Sequence, residues 1–353
     1  MESSYLKIVI LYCIKELQGQ RTIYSILHLL NGKKSSQTIQ DAHLFQLTRL
    51  FKTFGQLTRS ELEQLAAEME NANWIGQDEN GHFELRVNGE KYLQSALLEY
   101  PIPSSLNGWK YHTSTGVLWE RISLLVQVIS HLNYNHAKYL PIQRKRNVLS
   151  WLKDFLKTSG ADRNELGILL NKELQHCLGS LSDINPAVLT LRLTGYNHIG
   201  LTAVQAAKQL GVGQDYYHHQ FLGVLHYMLD CIKHSPSQYP LLGKLVSGSE
   251  DSVPLTFSTK KTYSLLDEGF GLDEIARIRN LKKSTIEDHV VEVALNMSSF
   301  DITPYVANAR QKSILEAANS SKSRQLKQIR KLVPEADYFE IRLVLAKFGE
   351  EER

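Results

Sequence analysis

The stretch GYNHIGLT, Gly195 to Thr202, has the glycine spacing of a phosphate-binding loop. Leu201 stands where a lysine must reach the β- and γ-phosphates, so the charge that makes the motif work is missing. No GxGxxG follows a strand-like run, and neither a GxSxG elbow nor an HExxH pair occurs. The histidines His218, His219, His226 and His234, with Cys231, fall on one amphipathic run rich in aromatics. A zinc site needs paired ligands at short fixed spacing from two elements, so these read as packing or surface residues, not metal ligands. No catalytic residue, metal or cofactor is assigned, and the chain is read as non-enzymatic.

The charge that does cluster is positive. Lys138, Arg144, Lys145, Arg146, Lys153 and Lys157 stand against one acid, Asp154. Between Arg310 and Val333, seven Lys and Arg residues stand against Glu316 alone. Within that second cluster, Lys327, Arg330 and Lys331 have helical i, i+3, i+4 spacing, with Arg324 one turn earlier. Such a stripe can neutralise several phosphates, and the affinity it gives falls steeply with salt.

The stretch GFGLDEIARIRNLKKSTIEDHVVEVAL, Gly269 to Leu295, reads as two short helices joined by a tight turn. Lys282, Lys283, Ser284 and Thr285 crowd the start of the second helix, the end that faces the groove in a helix-turn-helix, with His289 further along. Glu287, Asp288 and Glu292 are expected on solvent faces. Ser284 can N-cap, Glu287 completes a capping box, and Asp288 complements the helix dipole. Glu292 has no local role and keeps a protein-docking reading open. Three acids mostly repel phosphates, so backbone docking at the N-terminal edge, or protein docking, is favoured over base readout.

The elements that must position these residues are mainly helical. Helix-turn-helix spacing recurs at Leu62–Ile75, at Val204–Met228 around Gly211-Val212-Gly213, and at Leu272–Val293. A looser case turns at Asn31-Gly32 and restarts near Ser35 or Ser36. Asn80-Gly81 predicts a type I′ turn, and Phe83, Leu85 and Val87 alternate with polar residues as a half-buried strand does. The predicted fold is therefore mainly α, with several helix-turn-helix or winged-helix units and one small β-hairpin wing near 74–87. Pro-, Gly- and Ser-rich passages divide the chain into a winged-helix-like domain 1–100 and a helical middle domain 101–235 with a helix-turn-helix-like unit at 199–230. A linker at 236–254 and a C-terminal module at 255–353 follow.

The 353 residues carry a net charge of +3 and 42% hydrophobic residues, an ordinary globular balance. Cys13, Cys177 and Cys231 are odd in number and far apart, which argues for a reducing cytoplasm over a disulfide framework. The apolar run Ile8–Ile14 is too short to span a bilayer and has helical spacing, so it reads as a core helix; no membrane association is expected.

Residues 258–290, STKKTYSLLDEGFGLDEIARIRNLKKSTIEDHV, resemble the helix-turn-helix module at the C-terminal ends of some RecQ-type helicases. Thr262, Gly269, Ile275, Ala276, Arg279, Leu281, Thr285, Ile286 and His289 carry the resemblance, and the tail ADYFEIRLVLAKFG is similar to that module's end. The whole chain resembles the YpbB-type proteins of Bacillus-related bacteria, in which the module stands without a helicase motor. The resemblance implies an accessory protein that acts with a RecQ-family helicase in DNA replication or repair, on the nucleoid. The expected partners are DNA, forked or single-stranded rather than a specific operator, and that helicase. The expected DNA-contacting residues are Lys282, Lys283, Ser284, Thr285, His289, Arg324, Lys327, Arg330 and Lys331, with Arg144, Lys145 and Arg146. A sequence-specific transcriptional regulator and a protein-docking scaffold without DNA binding are the alternatives.

Overall fold

A computed structural model describes residues 4–79, 81–136, 138–158, 163–248, 255–297, 299–320 and 326–348. In chain order the elements are α1 Tyr5–Leu17, α2 Ile23–Asn31, α3 Ser36–Leu44, a 3-10 turn Thr48–Leu50, α4 Arg59–Asn71, β1 Ile75–Gln77 and β2 Phe83–Leu85. There follow α5 Val87–Glu99, α6 Gly108–Tyr111, α7 Ser114–Asn133, α8 Arg146–Thr158, α9 Arg163–Gly179, α10 Ala187–Thr190, α11 Ala203–Gln209, α12 Gln214–His234 and α13 Pro240–Val246. The last six helices are α14 Phe257–Asp267, α15 Leu272–Arg279, α16 Lys283–Asn296, α17 Asn308–Ser320, α18 Leu326–Leu332 and α19 Tyr338–Phe348. Among the described residues the fold is mainly α with one two-stranded antiparallel sheet, as the patterning predicts. Two compact units form: 1–12, 68–74 and 86–251 make the first, and 13–67, 75–85 and 252–353 the second.

The first unit is built around α7. Leu118, Ile122, Leu124, Leu125, Val128 and Ile129 are buried on all its sides, as expected of a helix that is apolar all round. It packs against α8, α9, α12 and α13. Of the histidines on α12, His219 and His226 are buried packing residues, while His218 and His234 are exposed. His226 accepts the Asn107 N–H at Nδ1 (3.0 Å) and meets the Thr115 hydroxyl at Nε2 (3.0 Å). His219 Nδ1 meets the Tyr5 hydroxyl at 3.2 Å. Gly211, at φ 70°, makes the turn between α11 and α12 that its spacing announces. Pro240–Val246, inside the stretch read as a linker, is helical and buries Leu241, Leu242 and Leu245.

In the second unit, α2 ends at Gly32 (φ 72°), and Ser35 N-caps α3 by accepting the Thr38 N–H. The stretch Leu62–Ile75 departs from its predicted pairing of helices. α4 is one continuous helix, and Ile75 already belongs to β1. No Gly or Pro interrupts residues 59–71, so nothing breaks the helix there. The hairpin pairs Ile75 with Leu85 and Gln77 with Phe83. Its loop is longer than the two-residue turn expected from Asn80-Gly81: Asp78 N–H donates to the His82 carbonyl (2.8 Å), and Gly81 sits at φ 79°. Asn80 lies outside the described residues. Val87, read as the last residue of the strand, starts α5 instead and is exposed.

Candidate nucleic-acid interface

The core of the helix-turn-helix forms as its spacing requires. Ile275 on α15 and Ile286, Val290 and Val293 on α16 are fully buried. Asn280 takes the left-handed conformation (φ 50°), and the Leu281 N–H returns to the Ala276 carbonyl at 2.9 Å, closing the turn. Asn tolerates this conformation better than most residues with a Cβ, which suits it to the position.

Three residues that carry the family resemblance tie this motif together. Arg279 donates from Nη1 to the Ser258 carbonyl (2.7 Å) and to the Thr262 hydroxyl, and from Nη2 to Ser258 Oγ (3.0 Å). The Thr262 hydroxyl, accepting from Arg279, has its proton free to donate to His289 Nδ1 at 2.8 Å. His289 is therefore a neutral imidazole with its proton on Nε2, an assignment that follows from the network. Burial, followed by the Arg279 charge, pulls its pKa down to about 4. His289 is 5% exposed, so it belongs to the core and not to the DNA-facing edge expected of it.

The acids also change role. Glu292 is buried, not solvent-facing. It accepts hydrogen bonds from the Thr259 hydroxyl (2.6 Å), the Thr256 hydroxyl (3.2 Å) and the Thr256 N–H, and so holds the start of α14. Burial pushes its carboxyl up from the usual range, against the pull of those bonds. Asp288 pairs with Arg342 on α19 at 2.5 Å. Glu287 is half-buried, its pKa raised by burial and then by Asp337. The expected capping box does not form: the chain re-enters the helix at Lys283, Lys282 is the N-cap, and no side chain caps the end. Ser284 thus lies inside the first turn, too late to cap it.

α16 packs against α14, α15, α19 and α3. Val291 and Ala294 are buried along with Ile286, Val290 and Val293, which leaves no long face open to a groove. The first turn remains available: Lys282, Lys283 and Ser284 are exposed, and Thr285 is half-buried. Lys283 meets Asp273 at 3.1 Å, an exposed pair worth little in water. An uncapped helix end with free N–H groups, the positive pole of the dipole and two lysines together suit a phosphate.

Lys327, Arg330 and Lys331 are exposed on α18, while Ile329 faces the core. The Arg330 guanidinium lies 4.6 Å from the Tyr338 ring centroid. Lys327 borders an open cleft of about 420 Å³ with Arg21 and with Asp78 and His82 of the hairpin loop, so part of the basic stripe lies beside the hairpin. Arg324 lies outside the described residues. Arg144, Lys145 and Arg146 are exposed at the start of α8 in the first unit, where Lys145 is bonded to Glu120. Sequence reasoning missed the closing of α16. The signal was available in Val290-Val291 and Val293-Ala294, apolar pairs that no single helix face can hold.

A seam of this kind, an αL turn and a second helix entering with its N-terminal edge exposed define a helix-turn-helix protein, and residues 258–345 match a family described as a helix-turn-helix domain. Over its whole length the chain is 34% identical to Protein YpbB of Bacillus subtilis, across 349 residues that cover 98% of each chain. The chain belongs to the YpbB family. No solved structure matches it.

Proposed function

We propose that the protein is a non-enzymatic DNA-binding accessory protein that grips the phosphate backbone and does not read a sequence. The observation that carries this is the first turn of α16: Lys282, Lys283 and Ser284 exposed on an uncapped helix end, ahead of a helix otherwise buried or half-buried. A recognition helix needs several open side chains to pair with base edges, and α16 does not offer them. This weighs against a sequence-specific regulator. Lys327, Arg330 and Lys331 extend the phosphate contact. The burial of Glu292 removes the acid that a protein-docking scaffold would have presented.

The finer part of the proposal is that the protein acts with a RecQ-family helicase in replication or repair, on the nucleoid. Its support is the resemblance of residues 258–290 to the module carried by such enzymes. Titration with forked, single-stranded and duplex DNA over a salt series tests the DNA contact, and absence of binding at low salt overturns it. Co-purification from nuclease-treated lysate, followed by the partner's unwinding rate with and without the protein, tests the helicase contact. Recovery of no helicase, or an unchanged rate, overturns that part.

A further inference from the structure

We infer that the Tyr134–Tyr196 platform at the C-terminal end of α7, in the first unit, with the adjoining cleft, binds unpaired bases of single-stranded nucleic acid. It goes beyond the phosphate contact proposed for α16 and stands on separate residues.

The cleft uses the stretch that resembled a phosphate loop. Gly195 and His198 exchange two backbone hydrogen bonds (2.9 and 3.2 Å) around Tyr196 and Asn197, the latter at φ 54°. The Ser130 hydroxyl accepts the Tyr196 N–H at 2.9 Å and pins this turn to α7. A Cβ at Gly195 would lie 2.8 Å from that hydroxyl, so a larger residue there would push on the Ser130–Tyr196 bond. What the turn displays is a ring: Tyr196 stacks on Tyr134 with centroids 4.5 Å apart and planes 20° apart. His131 stacks on Tyr139 (4.1 Å, 17°) and meets Tyr196 edge-on (5.8 Å).

Tyr134 is 65% exposed. A ring backed on one side by a second ring, and open to water on the other, is a platform on which a base can stack with little further loss of freedom. His131, which meets the Tyr196 ring, also borders a cleft of about 710 Å³ together with Tyr139, Arg144 and His198. No carboxylate borders it among the described residues. Lys138, Arg144 and Arg146 are exposed nearby in sequence. Gln127 holds the near wall, donating to the Leu140 carbonyl (3.0 Å) and accepting the Ile142 N–H (2.8 Å). Flat rings with surrounding cations accept any base whose face is free, and the bases of a duplex keep theirs covered. Exposed Leu140 and Ile199 would also suit a protein partner, but the exposed Tyr134 ring and the exposed cations Lys138, Arg144 and Arg146 favour a nucleic acid.

The test measures anisotropy of labelled fifteen-residue oligo-dT, oligo-U and a hairpin duplex with the full chain. Tyr134→Ala is expected to weaken oligonucleotide binding fivefold or more, Tyr134→Phe to retain it, and Tyr196→Ala to act like Tyr134→Ala. Duplex affinity is expected to stay within twofold in all three. Tighter binding of oligo-dT or of oligo-U identifies DNA or RNA as the strand, and both support the site. Absence of oligonucleotide binding at low salt leaves the surface to a protein partner and overturns the inference. So does a Tyr134→Ala protein that binds as the natural chain does, or a Phe variant as weak as the Ala variant. The Lys282→Ala/Lys283→Ala protein keeps the two readings apart: unchanged duplex binding in it sinks the α16 contact and leaves this one standing.

Discussion

The Glu292 carboxylate on α16 accepts the Thr259 hydroxyl of α14 at 2.6 Å, inside the helix-turn-helix core. A charged residue is thereby turned into a clamp between two helices, and the acid that looked out of place on a DNA-facing helix has a structural role. Glu292→Leu leaves the Thr259 hydroxyl and Thr256 N–H without their acceptor, and a loss of roughly 2–3 kcal/mol in urea unfolding is expected. Glu292→Gln keeps one acceptor oxygen and should lose less. Equal losses in the two variants would contradict the clamp.

Acid should destabilise the protein through two histidines. His289 and His226 are buried neutral, with folded pKa values of about 4 and about 3. The unfolded chain takes up their protons near 6.5, while the folded protein resists, so the unfolded state gains as pH falls. Their stabilisation is complete above pH 6.5 and is lost progressively toward pH 4 and then 3. Urea midpoints measured from pH 7.5 to 4 should decline, and His289→Gln should decline less steeply. A midpoint independent of pH would be inconsistent with the buried neutral rings.

Two helical glycines should respond in opposite ways. A Cβ at Gly89 would lie 2.1 Å from the Trp74 carbonyl oxygen, a backbone atom that cannot step aside. Gly89→Ala is expected to cost about 1–3 kcal/mol and to disturb the stacked Trp74–Tyr92 pair (3.9 Å), with a visible change in tryptophan fluorescence. Gly243 in α13 has its nearest such neighbour at 4.0 Å. Gly243→Ala should be neutral or gain up to about 1 kcal/mol. Thermal melts of both variants decide it, and a tolerated Gly89→Ala would show that the contact relaxes.

What could be read in advance was local. Ile275, Ile286, Val290 and Val293 announced their seam by spacing, and Phe83 and Leu85 their strand by alternation. What could not be read depended on partners distant in the chain. Glu292 finds Thr256 and Thr259 more than 30 residues upstream, and Asp288 finds Arg342 from 54 residues away. α16 is closed in part by α3, which comes from the first 50 residues. Spacing within one helix carries no information about which distant element will cover it. The same holds for Tyr196: a failed glycine motif gave no hint that its turn would place a ring on Tyr134, 62 positions earlier in the sequence.

The most direct measurement is duplex affinity against salt for the natural chain and for Lys282→Ala/Lys283→Ala, on several unrelated sequences. Each phosphate contact contributes about 0.9 to the slope of log affinity on log salt. The double variant should bind every sequence more weakly at low salt, to a similar degree, and its slope should be shallower by about 1 to 2. An unchanged affinity and slope, or a loss confined to one sequence, would contradict phosphate gripping by the first turn of α16.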